Sequence, residues 1–159
     1  MKIEFRDDRD DPSLSFNIER ADLESLAAAT LAAEGFADEV EVAITLIDAA
    51  SMALLNSTHL GKSGPTDVLS FPLEQLAPGA APTALAGGPP LNIGDIFICP
   101  QVVADNAAVA AVSFHDEMAL MVVHGLLHLL GYDHIVNSEA EQMEQRESDL
   151  LAAVGRARP

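Results

Sequence analysis

His124, His128 and His134 stand in the run HGLLHLLGYDH, and their spacing suits a metal ion. Residues four apart on an α-helix lie one turn apart on one face, so the rings of His124 and His128 project side by side. Gly131 can take the left-handed conformation that ends a helix, and the turn beyond it can return His134 to the same point. Imidazole nitrogens hold zinc at about 2.0–2.1 Å. Three protein ligands leave a fourth position open, which is the pattern of a catalytic zinc rather than a structural one. Imidazole also suits nickel, copper or iron. One zinc per chain is the expected cofactor, because no soft or carboxylate ligand is evident in the motif.

The spacing HxxxHxxGxxH is shared with metzincin proteases, whose general base is a glutamate directly after the first histidine. Gly125 occupies that position here and cannot take a proton, so the protease reading loses its central chemical part.

The elements that must carry these residues follow from periodicity. The apolar run from Phe114 to Leu130 predicts a buried helix, with Ser113 as its N-cap and Asp116 three positions on. Strands are expected over 1–6, where the pattern alternates, over 39–47 and 67–71, and from Gly94 to Cys99. Helices are expected over 21–35, from an Asp48 cap to about 57, from Pro100 to about 109, and from a Ser138 cap to about 154. An acidic turn is expected over 7–12. The stretch 75–90 is rich in Ala, Gly and Pro and reads as a mobile surface loop.

A length of 159 residues suits one domain, and 49% apolar residues can fill one core. The start of the chain has no apolar signal-peptide core. Its longest apolar stretch, about a dozen residues, is short of the roughly 20 that a membrane span needs. Cys99 alone cannot form an intramolecular disulfide and reads as a small buried hydrophobe, so a cytoplasmic protein is expected. The formal charge is −17, and no Lys or Arg occurs between Lys62 and Arg146. Nucleic-acid binders usually carry a basic face. An anionic substrate near the histidines would therefore depend on metal, Lys62, histidines or backbone amides.

HGLLHLLGYDH resembles the signature of the YbeY family of bacterial endoribonucleases and rRNA maturation factors. The segments Gly64-Pro65-Thr66-Asp67-Val68-Leu69-Ser70-Phe71-Pro72 and Leu91-Asn92-Ile93-Gly94-Asp95-Ile96 resemble two further motifs of that family. The resemblance covers nearly the whole chain. It implies an α+β, zincin-like fold, with a mixed sheet of about four strands and helices around a central buried helix that bears the histidines. It implies a single domain over 1–159 and a zinc-dependent endoribonuclease directed at single strands. The family acts in ribosome biogenesis, in maturing the 3′ end of 16S rRNA and in rRNA quality control. The metal ligands implied are His124, His128 and His134. The partners expected are rRNA and the small ribosomal subunit, with a ribosome-associated GTPase; the acidic charge adds basic ribosomal proteins, and no membrane is expected.

One departure affects the substrate side. Many family members carry an arginine, proposed to be functional, where this chain has Leu60. His59 and Lys62 are the nearby candidates for substrate binding. Attack on phosphorus by metal-activated water and attack by the ribose 2′-OH both remain open. Candidates for proton transfer are Asp133, Asp95, Ser70 and His115. Asp133 is expected to orient a histidine ligand through its ring N–H, Asp95 to shape a turn, Ser70 to serve as a strand residue and His115 to lie on the surface. Two other function classes compete with the nuclease. One is a non-catalytic ribosome-assembly factor with a structural zinc; the other is a metallohydrolase acting on a small molecule or peptide.

Overall fold

The computed structural model describes residues 1–10, 18–36, 39–81 and 88–159. Among them, the order is β1 (Lys2–Asp7), α1 (Arg20–Ala33), β2 (Val40–Leu46), α2 (Ala49–Leu60), β3 (Val68–Pro72), β4 (Leu91–Ile98), α3 (Pro100–Ala110), α4 (Phe114–Leu129) and α5 (Asn137–Ala153). The fold is α+β. Its sheet has the order β1-β2-β4-β3. The first three neighbours run parallel, while β3 pairs antiparallel with β4 on one edge, so the sheet is mixed.

The sheet's alternation decides what faces the helices. Val42, Ile44, Ile96 and Ile98 are fully or almost fully buried in strands whose alternate positions are more open. Helix α4 packs against β3, β4, α1, α3 and α5. Ten of its residues are buried, including Met118, Leu126 and Leu127, consistent with its apolar character on nearly every face. It begins as its sequence predicts, with Ser113 Oγ accepting from Asp116 N at 3.1 Å. No single helix among the described residues is long and apolar enough to cross a membrane.

Gly125 lets α4 approach the sheet. A Cβ at this position would lie 2.8 Å from Ile96 Cγ2 and 3.3 Å from Ser70 Oγ. The Ser70 hydroxyl donates to the Gly125 carbonyl at 2.9 Å, which fixes the edge strand to the helix.

Several boundaries depart from the sequence expectation. Strand β4 starts at Leu91 rather than Gly94. Gly94, at φ +134°, lies within the strand, in the region where the β2–β4 register shifts. A glycine read as a border is therefore a local irregularity inside the strand. Helix α2 runs on to Leu60 and ends at Gly61 in the left-handed conformation. Asp48 stands at the α2 N-cap but makes no side-chain cap bond; its Oδ2 accepts instead from Asp10 N at 2.7 Å. Helix α5 begins one residue before the expected Ser138 cap. Val136 takes the extended cap conformation, and Ser138 lies in the first turn. Part of the acidic turn at 7–12 (11–12) and part of the stretch at 75–90 (82–87) lie outside the described residues. Within the described part of the latter, Leu76 packs against the core.

Candidate metal centre

His124 and His128 project from one face of α4, as their spacing requires, and their Nε2 atoms lie 3.1 Å apart. The ligating atoms of His124, His128 and His134 all fall within 4.8 Å of one another. Two nitrogens bound tetrahedrally to zinc at about 2.1 Å would sit about 3.4 Å apart, so the pair is already near that spacing.

The hydrogen bonds behind the rings decide which nitrogens point inward. His128 Nδ1 lies 3.0 Å from the carbonyl oxygen of Tyr132. A carbonyl can only accept, so this nitrogen carries the proton. His124 Nδ1 lies 2.8 Å from Glu147 Oε1. Burial alone would raise the Glu147 carboxyl, but the bonds from His124 and Arg158 outweigh it and hold the group below the usual carboxylate range. Glu147 is therefore the acceptor and His124 the donor. Both Nε2 atoms then present lone pairs to each other, an arrangement that a shared cation relieves. Burial, followed by the neighbouring His124 and His134, pushes His128 down from 6.5 to about 4, which keeps its ring neutral and able to ligate at neutral pH. The donor set fits a divalent metal ion.

His134 is delivered by the turn after α4. Gly131 has φ +96°, and a Cβ there would meet the Leu76 carbonyl oxygen at 2.1 Å, so conformation and space both favour glycine. Tyr132 is buried, and its hydroxyl donates to Glu34 Oε2 at 3.0 Å. The other Glu34 oxygen receives the Arg146 guanidinium of α5. Asp133 Oδ1 accepts from the backbone N–H of His134 at 2.7 Å. Asp133 thus shapes the turn. The acceptors seen behind the His124 and His128 rings are Glu147 and the Tyr132 carbonyl, not Asp133.

The centre opens into a cavity of about 530 Å³ whose walls include Leu60, Lys62, Ser70, Asp133 and the three histidines. A second cavity, of about 370 Å³, meets His124 and His134 from the α5 side, beside Glu147 and Arg158. Leu60 is 51% exposed at the first cavity, on the last turn of α2. Asn56, buried on the same helix, donates to the Gly64 carbonyl at 2.9 Å and ties down the loop that carries Lys62.

The other candidates are placed elsewhere. Asp95 sits in a separate groove with Lys2, Glu4 and Arg6, because the neighbouring Ile96 takes the side of the sheet that faces α4. His115 is exposed at the start of α4, beside Asp22 and Arg156. It lies nine residues before His124, a rise of about 13 Å along the helix. His59 stacks edge-on against Phe71, with ring centroids 5.0 Å apart, and does not line either histidine cavity. Ser70 does line the first cavity, with its hydroxyl committed to Gly125.

Sequence reasoning missed Glu147, Arg158 and the Glu34–Tyr132–Arg146 cluster. A signal for Glu147 was present. Met143, Glu147, Leu150 and Leu151 form the buried stripe of α5, and a carboxylate on such a stripe requires a partner.

Comparison with known proteins agrees with this architecture. The chain is similar to proteins described as Endoribonuclease YbeY from Mycolicibacterium paratuberculosis and Micrococcus luteus. The first is 41% identical over 135 residues, covering 85% of this chain and 76% of the relative; the second is 43% identical over 123 residues, covering 77% and 76%. A protein from Thermotoga maritima, known from a solution structure, shares the fold with a TM-score of 0.58 and 24% identity, covering 96% of this chain and 91% of that one. The sequence profile of the family described as Endoribonuclease YbeY matches residues 5–155, and the chain belongs to that family of RNA-cleaving enzymes.

Proposed function

We propose that this protein is a zinc-dependent endoribonuclease that cuts single-stranded RNA during ribosome biogenesis, acting in 3′-end maturation of 16S rRNA and in rRNA quality control. The observation that carries the reading is the convergence of three histidines that line an open cavity, in a chain of the endoribonuclease YbeY family. His124, His128 and His134 would hold one zinc ion. When bound, zinc supplies Lewis acidity toward a phosphoryl oxygen or a water molecule.

The chain's own residues set the rest. Glu147 and the Tyr132 carbonyl orient the rings of His124 and His128. Lys62 is the cation of the first cavity and offers charge to an RNA phosphate. Asp133 lines that cavity beside His134 and offers an acidic group for proton exchange with solvent or substrate. The reading includes a zincin-like relationship of sheet and histidine helix, a cytoplasmic location, and work on the small ribosomal subunit alongside basic ribosomal proteins and a ribosome-associated GTPase.

The test is cleavage of a single-stranded RNA and of precursor rRNA by zinc-loaded protein, with His124→Ala and His128→Ala as controls. Both variants should lose metal and cleavage together. Cleavage that continues unchanged in both would sink the proposal.

A second reading has specific support. Leu60 offers no charge at the cavity, and the formal charge is −17, so a binding role through basic ribosomal proteins fits the surface. Histidine variants that stay folded, lack metal and still support ribosome maturation would favour an assembly factor over a nuclease.

A further inference from the structure

The stretch that follows α5 folds back onto the helix rather than leaving the domain. Gly155 has φ +77°, and the Arg156 N–H returns to the Leu151 carbonyl at 2.9 Å. The Arg156 guanidinium reaches Asp116, in the first turn of α4, at 3.6 Å. Two residues on, Arg158 Nε donates to Glu147 Oε2 at 2.9 Å. The other oxygen of that carboxylate accepts from His124 Nδ1 at 2.8 Å.

We propose that Arg158 is a positioning residue for the metal centre, holding Glu147 so that Glu147 holds the His124 ring. The inference rests on the reading of His124, His128 and His134 as metal ligands.

Geometry and burial carry the argument. Glu147 is 1% exposed. Its position on α5 is flanked by buried Met143, Leu150 and Leu151, so the helix supplies no polar neighbour on that stripe. A carboxylate in such a place needs a donor on each oxygen, since an unmet buried charge is costly. His124 meets one oxygen and Arg158 the other. With both bonds formed, the carboxylate plane is fixed and Oε1 stays aimed at the ring. Without Arg158, Oε2 has lost its donor, and the carboxylate can rotate away from His124 to find another. The ring then loses the bond that keeps Nε2 directed at the centre. Groups that orient metal-bound histidines in this way typically govern about 10- to 100-fold of metal affinity. Arg158 acts one bond further out, at the lower end of that range. It also lines the 370 Å³ cavity beside His124 and His134.

The experiment is a double-mutant cycle read by metal binding. Zinc affinity is measured by competition with a chromophoric chelator, and ligand geometry by the visible absorption of the cobalt-loaded protein. The proteins are the wild type, Arg158→Ala, Arg158→Lys, Glu147→Gln and the double variant Arg158→Ala/Glu147→Gln. Melting of each metal-free form is recorded alongside. Arg158→Ala should weaken zinc about 10-fold and alter the cobalt spectrum, and Arg158→Lys should recover part of the loss. In the Glu147→Gln background, Arg158→Ala should have no further effect. An equal loss in both backgrounds, or no loss at all, would overturn the proposal. His124→Ala serves as a separate control: full affinity in that variant would overturn the metal-ligand reading itself.

Discussion

The hydroxyl of Ser70 donates to the carbonyl oxygen of Gly125, joining the edge strand β3 to the histidine-bearing helix across 55 positions of sequence. That bond lies where α4 approaches the sheet closely, and glycine is what allows the approach. An added Cβ would lie 2.8 Å from Ile96 Cγ2. Gly125→Ala should therefore destabilise the fold even though alanine favours helices by about 1 kcal/mol. Overpacking costs about 1–3 kcal/mol, leaving a net loss of about 1 kcal/mol and a fall in Tm of about 2–4 °C. Thermal melting checks it; a Tm at or above the wild-type value contradicts the close approach. Gly125→Glu, which restores the protease-like residue, should unfold more of the protein and confer no peptide cleavage.

Zinc removal should lower thermal stability. A ligand held at about 100 times its Kd stabilises the native state by about 2.7 kcal/mol, which is about 5–11 °C for a domain of this size. Adding a chelator to zinc-loaded protein should lower Tm by that amount, and His128→Ala should show no such response. A wild-type Tm indifferent to zinc would argue against a site assembled as described.

Leu60 offers a gain-of-function test. It is half exposed on the wall of the first cavity, so a longer polar side chain has room to reach solvent there. Leu60→Arg should tighten binding of single-stranded RNA and make it more sensitive to salt. One added phosphate contact steepens the dependence of log K on log salt by about 0.7. Fluorescence anisotropy across a potassium chloride series measures this slope, and an unchanged slope would place the RNA away from Leu60.

Cys99 is fully buried beside Ile47, Met52 and Leu69, and burial pushes its thiol above the ordinary value. A thiol with little thiolate and no access should resist alkylation in the folded protein, even at mildly alkaline pH. Labelling by iodoacetamide should therefore follow global unfolding in denaturant. Rapid labelling without denaturant would show that the packing around Cys99 opens locally.

Much of this arrangement was legible in the sequence. The i, i+4 pair, the Ser113 cap and Gly131 located the histidine helix and its end, because each is a local signal read within a few residues. Alternation located the strands. The departures arise where distant parts of the chain meet. Gly94 read as a border because one strand alone does not reveal the register shift it makes with its neighbour. Asp133 is the nearest carboxylate in sequence, and proximity alone points it at a histidine ring. Glu147, 23 residues beyond His124, takes that role because α5 lies against α4. Asp95 was a candidate by proximity to a motif, and strand alternation turned it away from the centre.

The Glu34 carboxylate joins the end of α1 to Tyr132 and Arg146, spans of 98 and 112 residues. Contacts at such separation form only after long loops have closed, which slows folding relative to local helix formation. The three histidines lie within eleven residues of one another, whereas the groups that brace them come from the end of α1, from α5 and from the stretch after it. A substitution far from the histidines, at the end of α1 or beyond α5, can therefore loosen the candidate centre while leaving all three histidines in place.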